Sequence, residues 1–77
     1  MTITVKFFAS LRETLKRDTC AVDSSNAATA ADVWRMATDN HEFPNNTLIA
    51  INMDYANPEQ SVSDGDEVAF FPPVTGG

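Results

Sequence analysis

Only one stretch of this 77-residue chain keeps helical spacing of apolar residues for about two turns, and strand-like alternation flanks it on both sides. Ala30, Val33, Trp34 and Ala37 fall at i, i+3, i+4 and i+7, which predicts a helix from Ala30 to about Asp39. Thr29 is placed to cap it, with Asp32 three residues on as an acidic version of the capping box. Upstream, Ile3, Val5 and Phe7 alternate with Thr2, Thr4, Lys6 and Phe8, so a strand is expected over residues 2–8. Ser10 is the expected cap of a short helix from Leu11 to about Lys16, with Leu11 and Leu15 on one face. Thr19 to Val22 reads as a second short strand, closed by the polar turn Asp23-Ser24-Ser25-Asn26. Downstream, Thr47 to Asn52 reads as a strand apolar on both faces, which suits an interior position or a capped edge. Met53 to Gln60 reads as irregular. Gly65 supplies the positive φ of a tight turn over residues 63–66, and Glu67 to Phe71 forms the last strand. This order predicts one α+β domain, a mixed sheet packed on one main helix.

Beyond the last strand, the chain does not have the composition of a frayed end. Phe71 runs into Pro72-Pro73-Val74-Thr75-Gly76-Gly77. Pro72 has no N–H to continue a ladder, and Pro73 keeps its predecessor out of the α region. The pair stops the sheet and aims the chain outward. Six residues at ~3.3 Å each reach roughly 20 Å, far enough to enter a neighbouring protein. The two glycines present no side chain, so a narrow channel admits them. The one reactive group at the tip is the Gly77 carboxylate. The expected organisation is therefore a domain over residues 1–71 and an extended tail over residues 72–77, with Gly77 as the working residue.

The remaining composition narrows what else the chain can do. A formal charge of −6 gives nucleic acid no basic patch to meet. No apolar run approaches the ~20 residues of a membrane span, and the first residues lack the form of a signal peptide, so a cytoplasmic location is expected. One cysteine, Cys20, and one histidine, His41, support neither an internal disulfide nor a conventional zinc site, and no metal is expected. Cys20 is read as a packing residue in its strand and His41 as a surface residue past the main helix. Nothing in the chain forms a phosphate-binding glycine loop, so a partner must activate the Gly77 carboxylate.

The run Asp64-Gly65-Asp66-Glu67-Val68-Ala69-Phe70-Phe71-Pro72-Pro73-Val74-Thr75-Gly76-Gly77 resembles the C-terminus of the small subunits of molybdopterin synthase. Val5 to Glu13 resembles that family's first strand and helix, and Thr29 with Asp32 and Val33 its second helix start. The resemblance implies a ubiquitin-like β-grasp sulfur carrier. It implies that an E1-like adenylyltransferase, using ATP and Mg, adenylates Gly77, and that a sulfur donor such as a cysteine desulfurase supplies the sulfur of a thiocarboxylate. It implies that Pro73, Val74, Thr75, Gly76 and Gly77 insert into the large subunit, where sulfur passes to cyclic pyranopterin monophosphate. The family's usual assembly is a heterotetramer of two small and two large subunits, with the catalytic groups on the large one. Phe8 and Phe71, opposite Phe7 and Phe70 in register, are the candidate partner anchors. A carrier for the thiazole of thiamine, a protein modifier joined to lysines, and a non-covalent interaction domain are the alternatives.

Overall fold

The computed structural model describes residues 2–43 and 46–72. Among these residues, five strands and two α-helices take the order β1 (Thr2–Phe7), α1 (Ala9–Leu15), β2 (Thr19–Asp23), α2 (Ala30–Thr38), β3 (Leu48–Ile51), β4 (Asp54–Ala56) and β5 (Glu67–Phe71), with a 3₁₀ turn at Ser24–Asn26 after β2. The sheet order is β2-β1-β5-β3-β4. The last strand therefore lies in the middle, parallel to β1 and antiparallel to β3. With α2 packed across one face, this is the expected ubiquitin-like β-grasp. No described helix is long and apolar enough to cross a membrane.

Alternation decides which face meets α2. Ile3, Val5, Phe7, Val22, Ile49, Val68 and Phe70 point one way and are buried. They join Leu11 of α1 and Ala30, Val33, Trp34 and Ala37 of α2 in one core. Its centre is aromatic. Phe7 and Phe70 stack at 5.8 Å, and the Trp34 ring stands edge-on to Phe70 at 5.0 Å and to Phe43 at 5.0 Å. Burying a side chain as large as Phe70 stabilises the fold by ~2–3 kcal/mol. The indole N–H is satisfied inside by donating to the His41 carbonyl at 2.7 Å.

The caps explain where α2 begins and ends. Thr29 Oγ1 accepts from the Asp32 N–H at 3.3 Å, and Asp32 Oδ2 accepts from the Thr29 N–H at 3.1 Å, so the capping box is complete. Asp39 ends the helix in the left-handed region. Arg17, from the loop after α1, donates to the Ala37 carbonyl and ties the two helix ends together.

Three expectations need correction. The first helix starts at Ala9, with Phe8 at the N-cap and no side-chain cap, so Ser10 lies inside the helix. The first strand accordingly ends at Phe7, because Phe8 turns the chain while its N–H still donates to the Phe70 carbonyl at 3.1 Å. The segment after β3 is not wholly irregular. Asn52 and Met53 both take positive φ and form a hairpin turn, and Asp54–Ala56 pairs with β3 as a fifth strand.

Candidate functional site: the open sheet face at the root of the tail

The alternation that fills the core on one side of the sheet leaves the other side uncovered by any of the described residues. None of the described residues facing that side is buried. Its polar half carries Thr4, Lys6, Thr19 and Ala21 from β1 and β2. Its apolar half carries Leu48 and Ala50 from β3, Ala69 and Phe71 from β5, and Tyr55 from β4, as the registers Leu48↔Phe71, Ala50↔Ala69 and Ala50↔Tyr55 require. Between the halves, Lys6 Nζ lies 2.9 Å from Glu67 Oε2, an ion pair whose members are both about two-fifths exposed.

The expected anchors separate here. Phe8 is 45% exposed beside the start of α1. Phe71 is half-buried, and its ring lies 6.0 Å from that of Tyr55. Tyr55 is 77% exposed, with the aromatic ring presented to solvent on an otherwise apolar surface. Sequence reasoning missed Tyr55 because its segment lacks strand alternation, although an aromatic residue in a short polar stretch was a signal. Pro72 comes directly after Phe71 at the edge of this patch and is half-buried. The expected tail residues Pro73, Val74, Thr75, Gly76 and Gly77 lie outside the described residues, as does the tail on which the expected division at residue 72 rests.

The hairpin beside the patch is held by one side chain. Asn52 Oδ1 accepts from the Glu67 N–H at 3.0 Å, its Nδ2 donates to Asp66 Oδ1 at 2.9 Å, and its backbone N–H donates to the Glu67 carbonyl at 2.8 Å. Asp66 Oδ2 in turn accepts from the Ser63 N–H at 2.7 Å in the turn where Gly65 takes φ +88°. These bonds fix the start of β5, and hence the strand that leads into the tail.

The chain's potential nucleophile and base are engaged elsewhere. Cys20 sits half-buried on β2 against the core, and burial raises its thiol above the usual range while Arg17 opposes the shift. It is a packing thiol, as expected from the sequence. The His41 ring is exposed, with Nδ1 2.9 Å from the Glu42 carbonyl. Among the described residues, no cluster of three or more His, Cys, Asp or Glu side chains could hold a metal. A shallow apolar cleft of about 330 Å³ between Trp34, Phe43 and Pro58 lies on the helix side of the sheet. Its charged member, Arg35, is paired with Asp32.

Comparison with known proteins gives this geometry its setting. The molybdopterin synthase sulfur carrier subunits of Escherichia coli and Haemophilus influenzae are each 36% identical to the chain in an alignment 84 positions long, gaps included, that covers 97% of this chain and 99% of theirs. The crystal structure of SAMP1 from Haloferax volcanii superposes with a TM-score of 0.82 at 28% identity, covering all of both chains. Residues 5–77 match the ThiS family. The chain, with its β-grasp domain and its terminal Gly-Gly, belongs to the ThiS family.

Proposed function

We propose that the chain is the sulfur-carrying subunit of a molybdopterin synthase, with the Gly77 carboxyl as the carrying group. The observation that most supports this is the placement of β5. The central strand of the sheet leads directly through Pro72 to the Gly-Gly tip, beside an apolar patch that a partner can cover. The near end-to-end match to two sulfur carrier subunits supports the same reading.

In the first step, the Gly77 carboxylate attacks the α-phosphate of ATP on an E1-like adenylyltransferase with Mg, and pyrophosphate leaves. The terminal sulfur of a cysteine persulfide, charged by a cysteine desulfurase, then displaces AMP to form an acyl disulfide. A second thiol of the partner attacks the cysteine sulfur of that bond, forming a disulfide with it and releasing the thiocarboxylate. Residues 73–77 carry it into the large subunit, which transfers the sulfur to cyclic pyranopterin monophosphate and returns Gly77 as a carboxylate. The domain supplies the address and the large subunit the catalytic groups, in an assembly of two small and two large subunits. Phe8, Phe71 and Tyr55 form the docking surface in this scheme. An exposed aromatic ring beside a tail that must enter a partner is the composition of an interface anchor.

The likeness to SAMP1 favours a second reading, in which a lysine amine of another protein captures the same acyl-adenylate. One experiment separates the two. The purified chain is incubated with ATP, Mg, the activating enzyme and a sulfur donor, and its intact mass is measured. The carrier reading expects one oxygen replaced by sulfur at Gly77. Fragmentation distinguishes this from oxidation of Met53, which is 90% exposed. A plain carboxylate under all conditions refutes it, and lysine conjugates without thiocarboxylate favour the modifier.

A further inference from the structure

Strand β2 is one outer edge of the sheet, and its ladder with β1 shows which of its backbone groups are already paired. The Phe7 N–H donates to the Asp18 carbonyl at 2.9 Å, so Phe7 and Asp18 are a hydrogen-bonded pair of the antiparallel ladder. With a period of two, Val5–Cys20 and Ile3–Val22 are the next such pairs in the register. The N–H and carbonyl groups of Thr19 and Ala21 therefore point away from β1, and no described strand lies on that side. Thr19, Ala21 and Asp23 are all exposed, so no described residue covers this edge. Open donors and acceptors along an edge strand are a template for another strand.

We propose that this edge takes β2 of a second copy of the chain, antiparallel, with Cys20 of the two copies opposite each other. The two-fold axis then pairs Thr19 with Ala21 of the second copy, and Ala21 with its Thr19, so the open backbone groups of both residues are used. Two residues further along, Arg17 faces Asp23 of the second copy, and Asp23 faces its Arg17. This charge match selects the register. A shift that pairs Ala21 with its own counterpart sets Asp23 opposite Thr19 and forfeits both ion pairs. Asp23 has an oxygen to spare, because Ser25 is held by its Oδ1 alone. Arg17 reaches the Ala37 carbonyl through one guanidinium nitrogen and keeps donors on the same fork. The pairing joins two five-stranded sheets edge to edge and turns both apolar patches to the same side. Those patches lie on β3, β4 and β5, away from the joined edges, and stay open to a partner. A five-residue edge falls short of the ~800 Å² per partner of a stable complex, so the association is weak, with a Kd of about 0.1–1 mM. None of these groups takes part in the chemistry proposed for Gly77, so the pairing stands or falls apart from it.

Amide NMR and oxidative trapping of the full chain test the pairing. As the reduced chain is concentrated from about 0.05 to about 2 mM, across that Kd, the Thr19 and Ala21 amide signals should shift together. Diamide, which is reduced to a hydrazine as two thiols join, should then link the copies through Cys20. Opposite residues of a non-hydrogen-bonded pair lie ~4.5 Å apart at Cα, within the range of a disulfide. Ala21→Pro removes one outward N–H from each copy, spares the bonds to β1, and should slow the trapping at least about tenfold. Asp23→Asn keeps an acceptor for Ser25 but removes the charge facing Arg17, and should slow the trapping about twofold to tenfold, a difference that added salt erases. Thermal melts confirm that each variant is folded. Unmoved Thr19 and Ala21 signals, trapping as fast in folded A21P as in the unmodified chain, or shifts confined to Leu48, Tyr55 and Phe71 would overturn the proposal.

Discussion

Replacing Tyr55 by Thr should separate folding from docking, because the ring contributes little to one and much to the other. Tyr55 is 77% exposed, so about a quarter of it is buried. Truncating a fully buried aromatic costs ~3–5 kcal/mol, so a quarter of that is about 1 kcal/mol. The tilted contact with Phe71 at 6.0 Å is part of that loss, and Thr retains the strand preference that Ala would forfeit. Binding is a different matter. If a partner covers the exposed three-quarters of the ring, roughly 150 Å² of largely apolar surface leaves water, worth ~3–4 kcal/mol. Allowing for imperfect burial, the Kd should rise about 30-fold or more. The assay pairs urea unfolding, read by the fluorescence of Trp34 in the core, with calorimetric titration of the large synthase subunit. A loss of more than ~2 kcal/mol in folding would show that Tyr55 is a structural residue. Unchanged affinity with intact folding would show that the open face is not the docking surface.

The caps and turns give three further expected outcomes. Thr29→Ala removes the acceptor for the Asp32 N–H and should cost ~1 kcal/mol, lowering the Tm by about 4–8 °C in a domain of this size; a shift under about 1 °C would mean the box is redundant. Met53→Gly relieves a side chain held at φ +72° in the β3–β4 turn and should raise stability by roughly 1 kcal/mol in chemical denaturation, whereas a loss would show that Met53 makes contacts the turn needs. Asp23 accepts from the Ser25 N–H and hydroxyl, which hold its carboxyl below the usual range. Its contribution is therefore present above the unfolded carboxylate range and lost as the pH falls through the lower folded value. Asp23→Ala should flatten the acid limb of Tm against pH in that window, and an unaltered limb would discount the turn.

The sequence reading succeeded where local chemistry and tertiary demand agree. The α2 boundaries came from apolar spacing and a reciprocal cap, both contained within about ten residues. Apolar residues on both faces of β3 left an interior position or a capped edge open; pairing with β5 and β4 makes it interior, although Leu48 and Ala50 are only half-buried, because nothing described covers that side. The start of α1 was misplaced because no side chain caps it. Phe8 takes the N-cap position through its backbone, held by the Phe70 carbonyl from a strand far along the chain. Strand β4 was illegible for a related reason, since three residues carry no period and only pairing with β3 makes them a strand. The apolar patch on the open face shared that fate. Phe71 was found by register, but Tyr55 could be placed beside it only once β4 existed.

The central position of β5 also sets the order in which the molecule can be assembled. Without residues 67–71 the sheet falls into two separate pieces, β1 with β2 and β3 with β4, and neither has its core face closed. Phe70, whose ring meets those of Phe7, Trp34 and Phe43, arrives with that same strand. Pairing the first strand with the last is a contact of high sequence separation, the kind that slows folding toward the millisecond-to-second range. A growing chain on the ribosome therefore holds two separate strand pairs until β5 has emerged. The strand that completes the sheet is the one that leads to Pro72, so any protein that recognises the finished sheet meets only chains whose synthesis has run through β5.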